Sequence, residues 1–236
     1  MSRLSGPNFK PVSRESLADQ VYRQLREALM SGRFEPGHKF TIRGLAETLG
    51  ASSMPIRDAL NRLVAEGAFT VTESSRLRVP LITSERLREI RDARVALEGL
   101  LVERCIAKIT SRDLAQISKL YEQMSAAVAE ANASRYLWTN FAFHRRIYAV
   151  AQSDLIMAAV ENFWLHVGPC FALVAPQNTH LHRSMEAHAR ILDALHSRDA
   201  AAARAAVADD IMQAADSLLK LLSAQASSTR TGDSAR

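Results

Sequence analysis

Two histidines, an aspartate, an asparagine and an arginine hold most of this chain's chemical potential, because each falls on an apolar helical stripe. Hydrophobic residues recur at helical spacing through much of the sequence, and at about 100° per residue their faces can be counted. His144 sits at the centre of the stripe Leu137, Ile147, Tyr148 and Ala151, with Asn140 one turn earlier on the same face. His188 is centred among Leu181, Met185, Ile191, Leu192 and Leu195. Asp210 borders the stripe Val207, Ile211, Ala214 and Leu218, whereas Asp209 points away. Arg94 lies amid Leu87, Ile90, Leu97, Leu101 and Cys105, with Glu98 beside it.

Burying an unpaired charge costs several kcal/mol even after relaxation. Such residues on inward faces of different helices are therefore expected to meet one another, a metal ion or a ligand. Arg94 suits a bound carboxylate, since guanidinium meets carboxylate in a two-pronged geometry. Competing readings exist for each residue. Arg94 can pair with Glu98 at i,i+4, either histidine can bond a core carbonyl, and Asp210 can pair with Arg94 or a protonated His. His180 and His182, near a helix start, fit a pocket rim or a solvent-facing position. Trp164 and His166 read as core.

The elements that must position these residues are helices over 85–108, 111–131, 134–151, 154–174, 179–197 and 199–223. Thr110-Ser111, Ser153-Asp154 and Ser197–Asp199 punctuate them. Six consecutive helices with short connections predict an all-α bundle over 85–223. Residues 81–84 form the linker before it. The small polar tail 224–236 is expected to be disordered, and residues 1–14 to be flexible.

A second constellation lies upstream. Leu45–Leu63 holds two short helical patterns, about 42–49 and 53–65, that meet at Gly50. Ser52, Ser53 and Pro55 suit the start of the second, and Gly67 its stop. Ile56, Ala59, Leu60 and Leu63 form its apolar face, leaving Ser53, Met54, Arg57 and Asn61 on others. This is a helix-turn-helix pattern, whose second helix enters the DNA major groove. An earlier helix begins at Ser16 and ends near Ser31-Gly32, followed by RFEPGHKF with a turn at Pro36-Gly37. Two β-prone pieces, Ala68–Thr72 and Leu77–Pro80, flank the tip Glu73–Arg76 and predict a small wing. Arg76 or Arg78 would touch phosphate or groove edges there. The fold class expected is mainly α: a winged helix-turn-helix with a small β wing over 15–80, then the six-helix bundle.

Composition agrees. Of a net charge of +5, residues 1–80 hold 12 Lys+Arg against 8 Asp+Glu, and the remainder 18 against 17. The excess sits where phosphates would need neutralising. Cys105 and Cys170 lie far apart within apolar patterns, which suits buried free thiols in a reducing cytoplasm. The N-terminus lacks a signal-peptide core and no apolar run reads as a membrane span, so the expectation is a soluble, cytoplasmic protein without a membrane partner.

Residues 16–80 resemble the winged-helix domain of the GntR family of bacterial repressors. Gly32, Pro36-Gly37, Leu45-Ala46, Leu49-Gly50, Ser52, Pro55-Ile56-Arg57, Ala59-Leu60, Leu63 and Glu66-Gly67 carry the match in order and at family spacing. The helical remainder resembles the ligand-binding FCD domain of the FadR subgroup through Arg94 with Glu98, FHRRIY around His144, EAHARILDAL around His188, and Asp199-Ala-Ala. The resemblance implies DNA contacts at Arg43, Ser52, Ser53, Met54 and Arg57. Ser53 departs from the arginine usual there, which implies a shifted operator, since arginine is the commonest reader of guanine. It also implies an Asp-His-His-His metal site, here altered to Asn140, His144, His188 and Asp210. Two imidazoles and a carboxylate still suit Zn, Ni or Mn, with Asn140 a weak fourth ligand.

Together these features predict a ligand-responsive transcriptional regulator, by default a repressor, that binds a palindromic operator as a homodimer. A small-molecule carboxylate effector would bind at Arg94, Asn140, His144 and His188, with or without a divalent metal. The alternative is a metal-dependent enzyme using His144, His188 and Asp210, but no nucleophile–base motif, phosphate loop or HExxH accompanies them. A nonspecific architectural DNA binder would leave the buried polar cluster without purpose.

Overall fold

The computed structural model describes residues 15–72, 76–175 and 178–233, with side chains for all of these except 178–180 and 225–233. The expected N-terminal flexibility (1–14), most of the wing tip and the last residues of the tail lie outside that range. α1 (Leu17–Met30) starts at Ser16, whose side chain accepts the Asp19 amide. α2 (Ile42–Leu49) ends at Gly50, which takes the left-handed conformation (φ 61°, ψ 31°) that the tight turn requires. α3 (Ser53–Ala65) follows directly, with Ser52 at its N-cap but without a side-chain cap bond. Ser52 therefore occupies the expected position and leaves its hydroxyl uncommitted to the helix.

The wing differs from a two-stranded ribbon. β2 (Thr70–Val71) and β3 (Leu77–Arg78) are joined by a third strand, β1 (Lys39–Phe40), in the antiparallel order β1-β3-β2. Lys39 pairs with Arg78 and Phe40 with Leu77. Two residues are too few for alternation to be legible in sequence, so RFEPGHKF reads only as a turn.

The helical half comprises α4 (Ser84–Lys108), α5 (Ser111–Ala129), α6 (Ala133–Val150), α7 (Asp154–Val174), α8 (Asn178–Ser197) and α9 (Ala200–Asp233). Side-chain caps begin four of them: Thr83 for α4, a Thr110–Asp113 capping box for α5, Asn132 for α6 and Asp199 for α9, whose carboxylate accepts the Ala202 amide. α4 packs along α9, α6 and α7, while α8 lies against α9 and α5. α9 continues to Asp233, past Ser223 where the sequence predicts disorder. No Gly or Pro interrupts 224–231, and its Ala, Gln, Ser and Thr residues carry only small helix penalties.

α7 also corrects an expectation, because its 21 residues are long and apolar enough to cross a membrane (mean hydropathy 1.3). Here it is a bundle helix packed on α1, α4, α6 and α9. Through α1 it ties the two halves together. Arg26 of α1 meets Glu161 of α7 at 2.6 Å, and Arg33 stacks over Trp138 of α6 at 5.0 Å. Both cysteines are unpaired thiols in the core.

Candidate functional site

The bundle turns three of the expected residues toward one point. α6 presents His144, α8 presents His188 and α9 presents Asp210, and all three are buried. The two Nε2 atoms lie 3.1 Å apart. His144 Nε2 is 3.3 Å from Asp210 Oδ2, and His188 Nε2 is 3.6 Å from Oδ1. Two imidazole nitrogens at this separation either share one proton or each offer a lone pair to one cation. Zinc bonds of about 2.0–2.1 Å separate tetrahedral ligand atoms by about 3.3–3.4 Å, and the separations here, 3.1, 3.3 and 3.6 Å, bracket that value, the last two reaching different oxygens of Asp210. The set fits a divalent ion by donor type as well, nitrogen and carboxylate oxygen being suited to Zn, Ni or Mn.

Charge balance favours a cation too. Arg94 Nε donates to Glu98 Oε1 at 2.7 Å, so those two buried ions neutralise each other. Asp210 is then the remaining anion of the cluster. Burial pushes its carboxyl up, but His188, His144 and Arg94 outweigh that and hold it at about 2. It stays ionised, facing two histidines.

A supporting layer fixes the ligands. Tyr148, one turn after His144, places its hydroxyl 3.3 Å from His144 Nδ1. When Nε2 offers its lone pair, Nδ1 carries the proton and donates it to Tyr148. Burial, then the Glu98 carboxylate, push the Tyr148 hydroxyl well above its ordinary range, so it stays neutral. Trp164 of α7 donates its indole N–H to Glu98 Oε1 at 2.9 Å, which fixes the carboxylate from a second side. Tyr148 and Trp164 read in sequence only as core. Tyr148 carries a signal in its i+4 spacing from His144, whereas Trp164 carries none.

Arg94 makes the i,i+4 pair with Glu98 through its Nε, and the residue also lines the cavity beside His144 and Asp210. That cavity holds about 40 Å³ between Arg94, Tyr136, Asn140, Ser184 and Asp210. Tyr136 donates to Ser184 across its rim at 2.7 Å. A further 20 Å³ adjoins Arg94, Asn140, His144 and Trp164. Asn140 thus lines both spaces, half-buried. These volumes admit an acid of a few heavy atoms. His182 faces solvent, and the His180 side chain lies outside the described residues. A larger hollow, about 610 Å³, separates α1 and α2 from Trp138. It converges no metal-ligating set among the described residues.

The other expected residues lie on the winged-helix surface. Ser52, Ser53, Met54 and Arg57 are exposed together at the N-terminal end of α3, with Met54 68% accessible. Arg57 forms no ion pair among the described residues, either with its neighbour Asp58 or with Glu66 at the end of the helix. Arg43, on α2, instead pairs with Glu47 at 2.9 Å in full solvent, a contact worth little. Arg76 is exposed beside the wing.

Comparison with known families decides what this pairing of a helix-turn-helix and a polar-cored bundle represents. Residues 17–79 match the bacterial regulatory proteins of the gntR family, and residues 89–213, more than half the chain, match the FCD domain. The chain belongs to the GntR family. It joins the family's winged helix to an FCD domain. It is 28% identical over 209 residues to the HTH-type transcriptional regulator McbR of Escherichia coli, spanning 88% of this chain and 95% of that protein. It is 26% identical over 187 residues to the gluconate operon transcriptional repressor of Bacillus subtilis, covering 78% and 74%. The solved E. coli McbR/YncC structure superposes with a TM-score of 0.83, covering 88% of this chain and 99% of that one. A putative GntR regulator from Rhodococcus sp. RHA1 shares the fold at 18% identity and a TM-score of 0.72, covering 87% and 99%.

Proposed function

We propose that this protein is a ligand-responsive transcriptional regulator of the FadR subgroup, by default a repressor, acting in the cytoplasm. It binds a palindromic operator as a homodimer, one α3 helix in the major groove of each half-site and Arg76 beside the minor groove. Arg43 and Ser52 take phosphates; Ser53, Met54 and Arg57 read bases. A small carboxylic acid bound over His144, His188 and Asp210, gripped by Arg94 and Asn140, sets the affinity for DNA. His144, His188 and Asp210 would hold a divalent ion, which when bound would supply a Lewis-acidic anchor for a carboxylate.

The observation that carries this reading is the buried convergence of His144, His188 and Asp210 beside an arginine in a chain that also exposes a polar-nosed α3. A buried site without a nucleophile–base pair suits binding rather than turnover, so the protein is read as a non-enzyme. Differential affinity of the acid for two arrangements of the winged helices supplies the coupling.

Selection of bound fragments from a random duplex library tests the proposal. An inverted repeat with half-sites about one helical turn apart is the expected result. Recovery without sequence preference, at an affinity that metal and small acids leave unchanged, would reduce the protein to a nonspecific binder.

A further inference from the structure

The last turn of α1 belongs to the winged-helix domain, yet it closes one wall of the cavity that holds Arg94, Asn140 and His144. Ser31 caps α1 there and is only 3% accessible, and Met30 beside it is buried. The Ser31 hydroxyl reaches the Ala28 carbonyl at 3.4 Å, at the edge of hydrogen bonding. A buried hydroxyl so weakly engaged has both its proton and its lone pairs available to a better partner.

Two glycines bring this turn into the effector domain. A Cβ on Gly168 of α7 would fall 2.5 Å from the Leu29 carbonyl oxygen and 2.7 Å from that of Met30. Gly32 takes φ +69°, and a Cβ there would come within 3.0 Å of the Gly168 carbonyl. Backbone thus meets backbone across the domain boundary, and the Arg26–Glu161 pair holds the same two helices. Ser31 cannot withdraw from the cavity while this contact is made.

We propose that Ser31 is a ligand contact: its hydroxyl bonds an oxygen of the acid that Arg94 holds, so the bound molecule touches the DNA-binding domain directly. This rests on the Arg94 cavity being the effector site. The ligand class it fits is a small carboxylate or hydroxycarboxylate, with one oxygen for the guanidinium and another for the hydroxyl. Such a ligand distinguishes α1 docked on α7 from α1 displaced, which is the differential interaction that coupling requires.

Acetate, a carboxylate small enough for the spaces of about 40 and 20 Å³ taken together, which share Arg94, Asn140 and His144, is the probe, titrated into the full-length protein and followed by NMR of the labelled ligand. Ser31→Ala is expected to weaken acetate about five- to tenfold, the loss of one hydrogen bond, and Ser31→Thr to recover part of it. Zinc affinity stays unchanged in both. Acetate also slows amide exchange across residues 28–33 in the unaltered protein, a readout that stands even where Ser31→Ala fails to fold. Unchanged acetate affinity in Ser31→Ala with no protection at 28–33, while Arg94→Lys loses acetate, overturns the role of Ser31 and leaves the cavity reading intact. Acetate that does not bind, or that binds Arg94→Lys equally well, overturns the cavity reading and the role of Ser31 with it.

Discussion

His144 and His188 bring their Nε2 atoms to 3.1 Å of each other, and each also faces an oxygen of Asp210. Two protonated rings in this geometry would repel; two lone pairs would leave the carboxylate uncompensated. One proton shared by the two rings or one divalent ion resolves both problems, and the ion is the reading proposed for the site. Full-length protein purified without chelator is therefore expected to carry about one divalent ion per chain, and His188→Ala to lose it. At free metal a hundredfold above Kd the ion adds about 2.7 kcal/mol, so a chelator lowers the melting temperature of the parent and not of the variant. Elemental analysis that finds no ion in either, even after soaking with zinc or nickel, removes the metal from the reading.

The same cluster sets a pH dependence. His188, His144 and Arg94 hold the Asp210 carboxyl at about 2 against the effect of burial, whereas in the unfolded chain it titrates near 3.9, as an ordinary aspartate does (about 3.9). A depressed folded value contributes stability above the unfolded one and loses it as pH falls from about 4 to about 2. The contribution is on the order of 2 kcal/mol. Urea midpoints followed from pH 7 to pH 2 should fall less steeply in Asp210→Asn. Identical profiles for both proteins would show that Asp210 gains nothing from its neighbours.

Glu98 is the hinge of the supporting layer. Its Oε1 accepts from both Arg94 and Trp164, and the residue is fully buried. Glu98→Ala leaves the Arg94 charge unpaired in the core and should cost about 3–5 kcal/mol. Glu98→Leu combined with Arg94→Met is expected to recover most of that loss, because an apolar pair of similar volume removes both charges. Denaturation of Glu98→Leu, Arg94→Met and the double closes the cycle. Additive losses would mean that the pair is not coupled.

Legibility in the sequence followed the length and periodicity of each element. The six bundle helices are long, and their breaks at Thr110, Ser153 and Ser197 are marked by residues of capping type, so their spans agree with the structure to within two residues, except at the end of α9, which runs on to Asp233 where no Gly or Pro before 232 stops it. His144, His188 and Asp210 were visible because a polar residue at the centre of an apolar stripe needs a partner. Their meeting point was not, since it depends on how three helices pack. β1 was hidden by its two-residue length. Trp164 was hidden because the one polar atom of an indole does not disturb an apolar pattern. Ser31 was hidden because its role arises only where α1 docks on α7.

On the DNA side, Arg43 and Arg57 should separate by type of contact. Arg43→Ala is expected to weaken all sequences equally and to reduce the salt slope of binding by about 1, as loss of one phosphate contact does. Arg57→Ala should cost about 1–3 kcal/mol and relax preference at one base pair per half-site. Ser53→Arg is expected to shift preference toward guanine. Binding isotherms on the selected operator and its single-base variants, at several salt concentrations, distinguish these outcomes. Equal losses on every sequence for Arg57→Ala would reassign it to phosphate.

Gly168 has no room for a side chain, because the backbone of Leu29 and Met30 occupies the space a Cβ would need. Neither is the far end of a flexible side chain, so relief must come from shifting α1 relative to α7. Overpacking of this kind costs about 1–3 kcal/mol. Gly168→Ala is therefore expected to lower stability by that amount and to speed amide exchange in α1, while leaving metal content unchanged. Glu161→Gln, which weakens the charged contact to Arg26 and a longer one to Arg145 of α6, should show the same pattern to a smaller extent, and Arg145→Gln, which leaves the Arg26 contact in place, should not. The α1–α7 contact would then be the joint between the two domains, with the α4–α9 contact maintaining the bundle. Equal exchange in α1 for parent and Gly168→Ala would place the joint elsewhere.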